Sequence, residues 1–231
     1  MVASDVMLAR HPGARFHVAH VSPAGSVEVL RWAKAQGIDV TAEVTPHHLA
    51  LTTDLLTGYD PVYKVNPPLR PAEDVEALRA ALADGTIDAV ATDHAPHARH
   101  DKEHAFVDAA FGMLGLETAL SVISDVMVHP GLLDWAGVAR VMSSTPARIG
   151  GLAHQGRDLA VGSPAHITLV DPDREVTVDA AASRSRSRNN PWHGRTLRGA
   201  VEATVFAGRL THDARNGAGT RRELTNATTT G

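Results

Sequence analysis

Asp93, His94 and His97 follow closely on a short run, Ile87 to Ala91, that is apolar but for Asp88. Consecutive apolar positions suit a strand buried on both faces, as in a parallel sheet. An unpaired charge is expensive to bury, so an acid at the end of such a strand has little structural purpose. In a βα barrel that end carries the active site. His20 holds the matching place at the end of an earlier run, Arg15 to Val21. Taken alone, a histidine at a strand end is an ordinary polar residue. Paired with an acid in an equivalent place two strands later, it fits a shared metal. A carboxylate beside a metal-bound water can bind the ion and accept the water's proton, the usual pairing for metal-assisted hydrolysis. Asn66 and His97 lie on loops and suit the holding of an amide or carboxylate. Phe111-Gly112 offers backbone groups and an apolar edge to a planar ring.

The elements that must carry these residues follow from periodicity. Residues 3 to 10 read as the end of a helix, closed by Pro12-Gly13. A complete domain seldom opens that way, so sequence upstream is expected to be missing. The strand Arg15–Val21 leads through Ser22, a candidate cap, into a helix to Ala35. Its seam is Val27, Leu30 and Ala33 or Lys34, with Gly37 as the stop. Ile38–Val44 is a strand discharging into Thr45-Pro46-His47-His48. The prolines of Lys64-Val65-Asn66-Pro67-Pro68 impose a fixed loop. Pro71–Asp84 is a helix with Val75, Leu78 and Leu82 on one face and Gly85 as the stop. After the Asp93 strand comes a long loop, His94 to Gly112. A helix from near Leu114 to His129-Pro130 follows, then one over 134–147 broken by Pro146.

Strand and helix alternating in units of about 30 residues is the rhythm of βαβ repeats. The fold class is therefore α/β. Three such units do not close a barrel of eight. From Gly156 the texture changes to short β-like runs at 159–161, 165–170, 175–178 and 200–207, a small β appendage. Between them Arg184 to Pro191 reads as a solvated basic connection. Residues 1–155 are thus expected to form the βα portion, 156–211 the β appendage and 212–231 a disordered tail.

The chain has 231 residues, 43% of them hydrophobic, and a formal charge of −4. No basic block suits nucleic acid, no apolar run reaches membrane-spanning length, and no signal-peptide pattern opens the chain. A soluble cytoplasmic protein is expected. Cysteine is absent and histidines number 14, so any metal here takes histidine and carboxylate ligands.

Five blocks together resemble the dihydroorotase family of cyclic amidohydrolases. They are Phe16-His17-Val18-Ala19-His20-Val21-Ser22, Ala42 to Leu49 around Thr45-Pro46-His47-His48, Lys64 to Arg70 around Asn66-Pro67-Pro68, Ala91-Thr92-Asp93-His94-Ala95-Pro96-His97, and Gly115-Leu116-Glu117-Thr118. The resemblance runs from about residue 3 to 210. It implies a metal-dependent β/α barrel of the TIM type with a small C-terminal β appendage. The implied reaction is reversible hydrolysis of dihydroorotate to N-carbamoyl-aspartate in pyrimidine biosynthesis. By position, His20 resembles a zinc-ligating histidine. Asp93 resembles the aspartate that touches the metal and acts as catalytic base. Asn66, His97, Phe111 and Gly112 fall where the family meets its substrate. His47 and His48 match a family motif without an assigned role.

The resemblance also implies what this sequence lacks. The family's first-strand His-x-His pair and its accompanying arginine have no counterpart here, since His17 and His20, like His94 and His97, are three apart. Its metal-bridging carboxylate or carboxylated lysine and its fifth-strand histidine are missing as well. The chain is expected to be the C-terminal half of such an enzyme, binding Zn2+ weakly and inactive alone. Allantoinase or dihydropyrimidinase is the alternative among enzymes, though His97 and the Asn66 loop favour dihydroorotase. A non-catalytic subunit supporting aspartate transcarbamoylase is the alternative of another class. Homo-oligomerisation stays open.

Overall fold

The computed structural model describes residues 1–11, 13–215 and 222–223. Its first part repeats strand and helix: α1 (Val2–Leu8), β1 (Phe16–Val18), α2 (Ala24–Ala35), β2 (Val40–Val44), α3 (Ala72–Asp84) and β3 (Ala89–Val90). The three strands form one sheet in the order β1-β2-β3. Both pairings are parallel, Phe16 opposite Val40 and Glu43 opposite Ala89. All three C-terminal ends therefore lie along one edge, as the repeat rhythm predicts. The strands are shorter than expected, because residues on either side leave the ladder for loops and turns.

One core holds these elements together: Val18, Val40, Ala42, Val44 and Val90 from the sheet, Val27 and Leu30 from α2, and Leu78 and Leu82 from α3. Ser22 is not the helix cap that the sequence suggests. Pro23 occupies that place, and the carboxylate of Asp74 accepts from the Ala24 N–H at 2.7 Å. A carboxylate from the neighbouring helix meets the unpaired first-turn donor with a full charge, which favours it at a helix N-terminus. Ser22 is buried and its hydroxyl accepts from Arg70 Nε.

The long loop contains one short helix, α4 (Arg99–Lys102). The next helix starts later than Leu114, at α5 (Ala119–Ile123), and continues as a π-helical turn to Val128. Leu114 is held outside the helix instead: its N–H donates to Asn189 O and its carbonyl accepts from His47. The following helix, α6 (Trp135–Ala139), is not broken by Pro146. It passes through a π-helical turn, Arg140–Ser144, into α7 (Thr145–Ile149). The wider turn lies just where proline's missing N–H and bulky ring disrupt an α-helix.

The β appendage is a sheet in the order β4-β5-β6-β7, comprising β4 (Ile167–Thr177), β5 (Thr196–Phe206), β6 (Arg209–Asp213) and β7 (Arg222–Glu223). The expected strand at 159–161 is absent, and those residues form exposed turns and coil. The runs at 165–170 and 175–178 are one strand with a register shift between Asp171 and Glu175. Pro172 cannot donate to the ladder, and Asp171 Oδ1 instead accepts from Asp173 N and Arg174 N. Ala207 and Gly208 carry φ values of 48° and 76°, the pair of positive angles a tight hairpin turn requires. The expected tail boundary at 212 is too early, since β6 runs to Asp213 and β7 pairs with it. Ala214 and Arg215 continue as a turn, and apart from β7 the rest of that tail lies outside the described residues. Trp192 and Leu197 pack with Leu51, Val65, Leu69 and Met113, joining the appendage to the loops beyond the parallel strands. Among the described residues no helix is long and apolar enough to cross a membrane.

Candidate active site

His20 lies just beyond β1 and Asp93 just beyond β3. Both are non-glycine residues with left-handed backbone, φ 37° and 45°. Such a conformation costs an L-residue roughly 1–2 kcal/mol, and persists only where its surroundings impose it. Asp93 is half-buried, and that desolvation raises its carboxyl pKa. The His20 imidazole opposes the rise and the Glu43 carboxylate adds to it. The sequence-expected pair thus lies on the common strand edge, where the imidazole favours the ionised carboxylate.

Glu43 is a residue that sequence reading missed. Alternation along β2 places Thr41 and Glu43 on one face. His17 on β1 meets both, with Nδ1 at 2.7 Å from Thr41 Oγ1 and Nε2 at 3.0 Å from Glu43 Oε2. Period-two spacing was the available signal, and it contained both positions.

His47 and His48 are buried, and each is bonded to a backbone carbonyl of another loop. His47 bonds the Leu114 carbonyl through Nε2 at 3.0 Å and stacks on Trp192 at 5.9 Å. His48 bonds the Pro67 carbonyl through Nε2 at 2.8 Å and the Thr45 hydroxyl through Nδ1 at 2.7 Å. A carbonyl only accepts, so in both rings Nε2 carries the hydrogen. Burial pushes both pKa values down to about 4, against the raising effect of those carbonyl bonds. His48 thereby holds the loop that carries exposed Asn66.

His97, Phe111 and Gly112 come together. The residue after Asp93, His94, forms a parallel bridge with Met113, and Ala95 N donates to Met113 O at 2.9 Å. His97 Nε2 donates to Phe111 O at 2.7 Å, which leaves Nδ1 as an acceptor in the neutral ring. A Cβ on Gly112 would stand 2.5 Å from Ala95 Cβ and 2.9 Å from His97 Nε2, so the two loops approach only because Gly112 has none. The loop that carries Asn66 meets them at Lys64, whose carbonyl accepts from Gly112 N at 2.9 Å. Lys64 Nζ also lies 4.4 Å from the centre of the Phe111 ring. Lys102 is buried and donates to Lys64 O and Ala110 O, closing the loop from behind. Burial first, then the Lys64 charge, lowers its pKa to about 8.

The basic segment Arg184–Pro191 is not simply a solvated connection. Arg184, Arg186 and Arg188 face solvent, while the intervening serines turn inward. Ser187 Oγ donates to His97 O at 2.7 Å. Glu117 accepts from Ser183 Oγ and from the Arg184 and Ser185 N–H groups, bonds that hold its carboxyl pKa low against the effect of burial.

The amidohydrolase family model matches residues 5–211. The chain belongs to the amidohydrolase family. It is 59% identical over 211 residues to a dihydroorotase of Streptomyces coelicolor, covering 91% of this chain and 49% of that protein. A dihydroorotase of Mycobacterium tuberculosis is 57% identical over 217 residues, 94% of this chain and 50% of that protein. Among solved amidohydrolase-like structures, the L-hydantoinase (dihydropyrimidinase) from Arthrobacter aurescens superposes with a TM-score of 0.88 at 33% identity, covering 95% of this chain and 49% of that one. The chain spans about half the length of the curated relatives it matches. Amidohydrolases are generally metal-dependent hydrolases of TIM-barrel type. Among the described residues, however, no group of three or more His, Asp or Glu side chains is placed to hold a metal ion. A catalytic zinc normally takes three protein ligands, so His20 and Asp93 alone do not make that site.

Proposed function

We propose that this chain supplies one half of a dihydroorotase, the part that carries the proton-transferring carboxylate and the substrate loops. One observation carries the reading: close identity to dihydroorotases extends across the strand edge that ends in His20 and Asp93. Residues 1–155 would be a portion of the β/α barrel and the residues from 156 the β appendage.

In this proposal His20 and Asp93 contribute two ligands of a larger set for zinc, whose chemistry would be polarisation of water and of the ring amide. The steps assigned to this chain's own residues are simpler. In hydrolysis the Asp93 carboxylate accepts a proton as water attacks the ring amide carbonyl. It passes that proton to the ring nitrogen as the C–N bond breaks. In ring closure it takes the proton from the attacking carbamoyl nitrogen and gives it to the hydroxide that leaves as water. A carboxyl pKa raised by burial makes the carboxylate the stronger base. Asn66, His97 Nδ1 and the Phe111-Gly112 backbone would surround the substrate ring.

Hydantoin or dihydropyrimidine opening is the second reading, favoured by the fold match to the Arthrobacter hydantoinase. A chimera separates the two, with this chain replacing the matching half of the Streptomyces dihydroorotase. Turnover of dihydroorotate, with hydantoin and dihydrouracil left intact, is the expected result. The reverse preference would overturn the assignment.

A further inference from the structure

Asn189 comes from the segment that enters the β appendage, yet its polar groups are spent on the loops beyond the parallel strands. The residue is 6% exposed. Its Nδ2 donates to Ala95 O at 2.9 Å and to Gly112 O at 3.1 Å. Its Oδ1 accepts from His97 N at 3.4 Å. Its backbone carbonyl accepts from Leu114 N at 3.0 Å. One side chain therefore holds both edges of the parallel bridge between His94 and Met113 and reaches the His97 backbone as well.

Only an amide satisfies that set, since two carbonyls need two donors and one N–H needs an acceptor. A carboxylate of the same shape would press acceptors against two buried carbonyls, and an alanine would leave those groups unpaired, a larger loss than that of an exposed hydrogen bond. Ser187, two residues earlier, adds its hydroxyl to His97 O.

We infer that Asn189 is a positioning residue, fixing His97 against Phe111-Gly112 from the β appendage without itself meeting the substrate. The inference rests on the proposed role of those residues as substrate contacts. Binding loops held by a neighbouring element lose affinity before they lose chemistry, because Asp93 stands on the strand edge and not on this bracket.

The test compares Asn189→Asp and Ser187→Ala with the unaltered protein. In the full 231-residue chain, backbone amide exchange is followed at His97 and Leu114, with Thr196–Phe206 as the reference. Asn189→Asp is expected to speed exchange at His97 and Leu114 about tenfold or more, with the reference strand unchanged. In the chimera it is expected to raise KM for dihydroorotate about tenfold while kcat stays within about threefold. Ser187→Ala should move both readouts the same way by less, and it decides the matter if Asn189→Asp does not fold. Unchanged exchange at His97 and Leu114, equal loss across the reference strand, or a fall in kcat at constant KM would each overturn the inference. If the unaltered chimera ignores dihydroorotate, the substrate reading fails, and the exchange pattern still decides whether Asn189 sets these loops.

Discussion

His20 and Asp93 flank β2 from the ends of β1 and β3, and both hold a left-handed backbone that side chains ordinarily avoid. Two strands of one parallel sheet thus end in the same strained way, each presenting an ionisable side chain. Between them β2 contributes Glu43, which raises the Asp93 pKa while His20 lowers it. The strain is local, and the groups that it aims are the ones chemistry would use.

Glycine should therefore be the better replacement at either position. His20→Gly and Asp93→Gly should each be more stable than the corresponding alanine variant by about 1 kcal/mol, because only alanine keeps the left-handed penalty. At ordinary helical positions the order is reversed. Urea unfolding of the four variants measures the difference, and alanine variants of equal or greater stability would remove the claim of strain.

His47 and His48 make the fold acid-sensitive. Their pKa values fall from 6.5 to about 4 on folding, so the folded chain favours the neutral rings. A lowered folded pKa gives stability that is complete above the unfolded value and is lost as pH falls from there through the folded one. Each ring is worth up to about 3 kcal/mol over that window. Thermal stability should fall steeply as pH drops from about 6.5 to 4. His47→Asn, less stable at neutral pH, should show a shallower slope.

The strand ends were legible because strand-like runs give way to loops near His20, Val44 and Asp93. The helices α2 and α3 were legible from their buried seams and terminal glycines. What escaped was everything set by contacts distant in sequence. Asp74 caps α2 from the next helix, and Asn189 brackets loops that lie far upstream. Nothing local marks either one. Pro146 misled for the opposite reason: its local rule is sound, but a widened turn accommodates the ring.

Gly112 should tolerate no side chain. Gly112→Ala places a methyl group 2.5 Å from Ala95 Cβ at a φ of 136°, and the nearest ring atom belongs to His97. A loss of about 1–3 kcal/mol is expected from overpacking. The His97 side-chain resonances should shift as its bond to Phe111 O is displaced. A variant with unchanged stability and unchanged His97 resonances would show that the two loops part freely.

Asp93→Asn should separate stability from activity. Burial raises the pKa of this carboxyl, so the fold disfavours the ionised form. The sign follows: the penalty is present above the folded pKa and disappears as pH falls through it. At neutral pH the amide escapes that penalty, and the variant chain should melt at a higher temperature than the unaltered one. At acidic pH the two should converge. The same change in the chimera should abolish most dihydroorotate turnover, because an amide neither accepts the proton nor supplies negative charge at the strand edge. Neighbouring Glu43 is already engaged by His17, at 3.0 Å from its Oε2. Melting curves across pH and initial rates in both directions make the comparison. A variant that retains near-normal turnover would remove Asp93 from the proton-transfer step, whatever its effect on stability.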